Sequence, residues 1–200
     1  MKRVIRNEDA FTGLEAAIVL IAFVVVAAVF SYVVLGAGFF TTQKSQEVVH
    51  SGVTQASSNI VVKGEVYGIL NQTLSPDGIS YIRFNVGLAA GGTPVDMNRT
   101  SMTFSTENTA PYTAEIDSTA FNLSGTMPGE GKWSINEIQT DSSITDGTLQ
   151  YGETFVIYFR PKTALQPREQ FLLEIQPEVG AALGVSRTVP PSITATTLLY

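Results

Sequence analysis

The sequence predicts an α+β fold: one long hydrophobic α-helix at the N-terminus, followed by an all-β antiparallel domain laid out as an immunoglobulin-like sandwich. Three observations predict it. Between Glu15 and Lys44 no residue is charged, and the run AAIVLIAFVVVAAVFSYVVLGAGFF is apolar on every side of a helix rather than along one stripe. The polar run after Phe40 keeps Val48, Val49, Val53, Ala56 and Ile60 at three- and four-residue spacing. From about residue 60 onward, short segments rich in β-branched and aromatic residues alternate with Gly- and Pro-containing turns.

The apolar run comes first in the chain. At about 1.5 Å per residue such a helix is roughly 40 Å long, enough to cross a hydrocarbon core of about 30 Å. It is too long for the apolar part of an ordinary secretory signal, about 7 to 15 residues. Lys2, Arg3 and Arg6 precede it, and only Lys44 follows closely. That bias places the N-terminus in the cytoplasm and everything after residue 44 outside. Glu15 sits where a carboxylate costs up to about 2.5 to 3.5 kcal/mol if it lies deep and unpaired. A cut between Ala10 and Phe11 would remove the charged leader and leave on Phe11 an α-amino group, cationic at neutral pH, to partner Glu15. The alternative is that Glu15 marks the membrane interface and reaches water.

Beyond Phe40 the single apolar stripe predicts that the helix continues to about residue 58, with Gly52 as a weak point costing about 1 kcal/mol relative to Ala. The stripe is suited to the outer domain or to neighbouring helices. The organisation expected is a leader over residues 1–10, a helix over 11–58 and a β-domain over 59–200. Strand segments are IVVKGEVYGIL, GISYIRFNVGLAA, SMTFST, KWSINEIQT, ETFVIYFR, EQFLLEIQP and SITATTLLY. Turns fall at Pro76-Asp77-Gly78, Gly91-Gly92-Thr93-Pro94, Pro128-Gly129-Glu130-Gly131 and Asp146-Gly147. Trp133 reads as a core anchor.

Composition excludes several functions. The chain has 200 residues, 12 basic and 18 acidic, no cysteine and one histidine. Removing residues 1–10 takes away Lys2, Arg3, Arg6, Glu8 and Asp9 and leaves 9 basic against 16 acidic, a net charge of −7. An acidic exterior without a basic patch argues against nucleic acid as a partner. Without cysteine there is neither a disulfide framework nor a thiolate metal site. No G-x-S-x-G elbow or phosphate-binding loop occurs, so no catalytic residue, cofactor or metal ligand is assigned. His50, beside the stripe, reads as a surface residue. Glu130, Glu137, Asp141, Asp146 and Glu153 read as a solvated acidic face rather than a divalent-cation site.

Ala10, Phe11, Gly13 and Glu15 together resemble the class III, type IV pilin-like signal peptide, departing from it at Glu8 and Asp9, where basic residues are usual. The resemblance extends further. GEVYGIL, then YIRFNVGLAAGGTPVDMNRTSMTFST, and later YGETFVIYFRPKTALQPREQFLLEIQPEVGAALGVSRTVPPSI are similar, in that order, to archaellins, the subunits of the archaeal swimming filament. The resemblance implies a structural, non-enzymatic subunit, cut before Phe11 by a pre-archaellin peptidase. Gly13 and Glu15 would serve processing and assembly. An ATP-driven membrane assembly and motor complex would add it to an extracellular filament, as a homopolymer or with paralogous archaellins. The precursor would sit in the cell membrane. Asn71, Asn98 and Asn122 begin N-x-[ST] triplets and are candidates for the N-glycosylation machinery, the alternative being ordinary loop asparagines. Two other readings remain at this point: an adhesive pilin, and a bitopic membrane protein with an extracellular binding or enzymatic sandwich.

Overall fold

The computed structural model describes residues 8–118, 126–139 and 147–200, of which 8–12 are described by backbone alone. The chain divides into two units, residues 1–51 and 52–200. Helix α1 runs Glu8–Ser57, 50 residues and about 75 Å of axis. Its apolar stretch is rich in valine, a modest helix former in water. In a dry environment, however, a helix is the way one segment satisfies all its backbone groups by itself. Side-chain hydroxyls follow the same rule, because Thr41 donates to the Ala37 carbonyl at 2.8 Å and Thr42 to that of Gly38 at 2.9 Å. The helix ends where polar side chains capture its last carbonyls. The Ser58 hydroxyl donates to Thr54 O at 2.8 Å, and the Asn59 amide to Ala56 O at 3.1 Å.

Residues after the helix form β1 (Ile60–Val62), β2 (Val66–Leu70), β3 (Ile79–Leu88), β4 (Val95–Asp96), β5 (Ser101–Thr106) and β6 (Tyr112–Ile116). They continue as β7 (Lys132–Gln139), β8 (Thr148–Leu149), β9 (Thr154–Phe159), β10 (Gln170–Gln176), β11 (Leu183–Thr188) and β12 (Thr196–Leu199). The segment expected as one strand, residues 60–70, is split by Gly64, whose φ of +87° suits glycine. Both pieces pair antiparallel with β3, Ile60 opposite Leu88 and Tyr67 opposite Arg83, so they form one lane with a bulge at Lys63–Glu65.

The strand order is β11-β10-β5-β6-β7-β9-β3-β2-β12, with β4 and β8 as a separate short pair. The two faces expected of the sandwich are thus halves of one continuous sheet. The join is a short parallel pairing of β6 with β7, Glu115 opposite Lys132 and Ile116 opposite Trp133, where antiparallel pairing alone was expected. Parallel neighbours need a crossover connection, of which residues 117–118 and 126–131 are described. Asp117, which is buried, anchors its far end by accepting from Gly129 N–H at 2.8 Å.

The sheet curls round its own core. Phe104 on β5 and Phe159 on β9 lie three strands apart in the order, roughly 14 Å if flat. Their rings are nevertheless 4.9 Å apart. The two ends of the order also meet, because Thr188 and Tyr200 exchange backbone hydrogen bonds in both directions, at 2.6 and 3.3 Å. Trp133, Phe84, Phe104, Phe155, Phe159 and Phe171 fill the interior, so Trp133 is the core anchor expected of it. Loops press in at one point. Gly180 has φ +117°, and a Cβ there would lie 1.7 Å from the Ser58 carbonyl oxygen, so only glycine fits.

Candidate assembly surface

The feature that demands a function is α1. Every described side chain from residue 13 to residue 51 is exposed, including Phe23 (70%), Phe30 (69%) and Leu20 (66%). Successive helical positions are about 100° apart, so the exposed run Ile18–Ile21 already covers the full circumference. Keeping each large apolar side chain from water is worth about 1.5 to 3 kcal/mol, so some twenty of them make immersion unfavourable by tens of kcal/mol. A surface of this kind requires lipid or other apolar helices on all sides, not a ligand on one.

Glu15 is exposed on this helix, and Lys44 and Glu47 form a surface ion pair at 2.6 Å where the polar part begins. Ala10 and Phe11 lie on the helical backbone, and a Cβ added at Gly13 would meet nothing within 4 Å. Gly36, Gly38 and Gly52 are equally open, so at each of these points a second backbone can approach the helix closely. The stripe divides: Val48, Val49 and Val53 stay more than 60% exposed, whereas Ile60 is buried in the β-domain core.

The candidate glycan acceptors differ. Asn71 lies in the β2–β3 turn, where its Oδ1 accepts from Thr73 N–H at 3.1 Å. Asn98 is exposed in a short turn, and its amide donates to the Asp96 carboxylate at 3.0 Å. Its neighbour Arg99 forks onto both oxygens of Glu178 at 3.0 Å, and that carboxylate raises the guanidinium pKa above its ordinary value. Asn122 lies outside the described residues, as do Asp141 and Asp146. Glu130 and Glu137 are exposed, but Glu153 is not part of a solvated face. It is buried, because its carboxylate closes a tight turn by accepting from Gln150 N–H at 2.7 Å, while Lys63 Nζ donates to its backbone carbonyl. Among the described residues no three His, Cys, Asp or Glu side chains gather as metal ligands.

One group of residues escapes a reading of the sequence: the outward face of β12, β2, β3 and β9, where Leu198, Tyr67, Arg83 and Tyr158 stand in one row. The signal is present as alternation within each strand, but the register that aligns the strands is not written in any one of them.

The model of the archaeal-type flagellin family matches residues 10–187. Probable flagellin 1 of Archaeoglobus fulgidus is 39% identical over 197 residues, 96% of this chain and 95% of that one. Probable flagellin 2 of the same organism is 40% identical over 208 residues, 97% and 96% of the two chains. Among solved structures, the archaeal flagellum of Methanospirillum hungatei strain JF1 is similar with a TM-score of 0.69 at 36% identity, covering 94% of this chain and 99% of that one.

Proposed function

This chain belongs to the archaeal-type flagellin family, and on that premise we propose the route by which it becomes a structural subunit, not an enzyme, of the extracellular archaeal swimming filament. The carrying observation is that α1 is exposed all round, and carries no charge, over residues 16–43. Before assembly the helix is held in the cell membrane with residues 1–10 in the cytoplasm. A membrane peptidase cuts between Ala10 and Phe11, and the new α-amino group offers Glu15 a charge partner. An ATP-driven assembly and motor complex then passes the subunit into the filament. There the helix exchanges lipid for like helices and never meets water, so the large penalty of exposure is avoided at each stage. The β-domain lies outside the helical core and carries glycans at Asn71, Asn98 and Asn122.

The alternatives of an adhesive pilin and a bitopic membrane protein have less support, because the family match runs through residue 187 and so includes nearly all of the β-domain. Sheared filaments from cells producing the full chain provide the test. N-terminal sequencing is expected to begin at Phe11, and mass spectrometry to find glycopeptides. A start at Met1 would overturn the processing route, and bare peptides at all three asparagines would overturn the glycan assignment.

A further inference from the structure

The β-domain exposes two sheet faces of opposite character. On the outer side of β12, β2, β3 and β9, the register places Leu198, Tyr67, Arg83 and Tyr158 in one continuous row. Leu198 is 47% exposed, and the guanidinium of Arg83 lies over the Tyr158 ring at 6.0 Å. Arg83 is short of partners. Its Nε is shielded from solvent with no acceptor, and no carboxylate pairs with it among the described residues.

On the outer side of β11, β10, β5 and β6 the corresponding row is Gly184, Glu174, Thr103 and Thr113. Beside it Leu172 stands 44% exposed between Ser186 and Ser105. Glu115 is exposed further along β6. Glu174 has no ion-pair partner among the described residues either. The inner residues of both sheet halves meet in one core, so these two outer faces look away from each other.

We propose that these faces are the two halves of a head-to-tail contact between copies of this chain, the Arg83 row of one β-domain docking on the Glu174 row of the next. The proposal rests on the filament reading, and it adds which surfaces of the outer domain meet. A helical polymer needs two different patches, because a patch that binds only itself closes into a dimer. Tyrosine and arginine are the residues that dominate such contacts. Arg83 in one row and Glu174 in the other are complementary in sign. Within one chain neither can reach the other; between two chains each supplies what the other lacks. Glu137, also exposed on β7, sits outside the Arg83 row and leaves that row cationic.

The test uses the full chain in filament-forming cells, with filaments counted by electron microscopy and subunit in the membrane measured by immunoblot. Arg83→Glu and Glu174→Arg are each expected to lower filament number about tenfold at unchanged membrane subunit, and the double reversal to restore most of it. Wild-type numbers in both single variants would overturn the contact, as would a double variant no better than either single one. If Arg83→Glu fails to accumulate, Arg83→Gln and Glu174→Gln replace the reversals. Losses that do not add in the double variant support the contact, and additive losses overturn it. Failure of the filament reading looks different: the unsubstituted chain would then be absent from sheared filaments altogether.

Discussion

The helix over residues 8–57 and the β-domain after it use apolar side chains in opposite ways. In the helix, Phe23, Phe30, Phe39 and Phe40 are each more than 60% exposed. In the β-domain, Phe84, Phe104, Phe155, Phe159 and Phe171 are at most 1% exposed. The same residue type is therefore a demand for outside partners in one region and a source of internal stability in the other. The difference follows from how each region satisfies its backbone. A helix closes its hydrogen bonds locally and leaves all its side chains free to face a partner. A sheet has to bring distant segments together first, and the phenylalanines that do so are consumed in the process.

The comparison predicts where substitutions act, and the largest effect belongs to a charge in the middle of the helix. Val25→Asp puts a carboxylate at the centre of the uncharged stretch, at a cost of about 2.5 to 3.5 kcal/mol in lipid. No lysine or arginine lies between Glu15 and Lys44 to pair with it, and Glu15 itself repels it. Filaments are expected to be absent from micrographs of such cells. Normal filament numbers would mean that the helix is not surrounded by apolar neighbours.

Next comes a matched pair of truncations. Phe104→Ala removes a ring that touches Tyr112, Phe159 and Phe171, with centroids 4.9 to 5.9 Å away. It is expected to destabilise the β-domain by about 3 to 5 kcal/mol in urea unfolding of detergent-held subunits. Phe23→Ala removes an equal ring from the helix and is expected to leave that transition where it was. Equal shifts from both would erase the distinction between the regions.

How much of this the sequence discloses also follows the division. The helix is legible because its signal is local: an uncharged run, a stripe, and polar residues at the end. It stops at Ser57, against an expected 58. Seven strand segments are legible for the same reason. β6 is not, because YTAEI buries only Ala114 deeply and follows Pro111, so it lacks the apolar alternation of a core strand. The two-residue strands β4 and β8 are too short to have a pattern at all. Nor can any segment announce the parallel β6–β7 join or the Leu198–Tyr67–Arg83–Tyr158 row, which exist only once the strands are in register. Glu153 shows the converse error: an acidic residue in loop-like sequence reads as solvated, yet its carboxylate is held inside by the turn it closes.

The smallest predicted effect lies at the β6 strand that the sequence conceals. Burial pushes the Tyr112 phenol above its ordinary pKa of 10.0. The hydrogen bond its oxygen accepts from Lys162 N–H, 3.0 Å long, opposes that shift, and the charge of Glu130 adds to it. A folded-state pKa above the unfolded one means that the protonated phenol is favoured by folding. The associated stability is fully present below about pH 10 and is lost as pH rises through the folded-state value. The melting temperature of the β-domain is therefore expected to fall more steeply above about pH 10 in the native chain than in Tyr112→Phe. The variant starts lower, having lost the acceptor for Lys162 N–H, but its ring still lies beneath the Lys162 ammonium, 4.4 Å from the centroid in the native chain. Parallel alkaline slopes for the two proteins would show that the phenol keeps its proton no more tightly in the fold than out of it. β6 would then be less well covered than its place at the join of the two sheet halves requires.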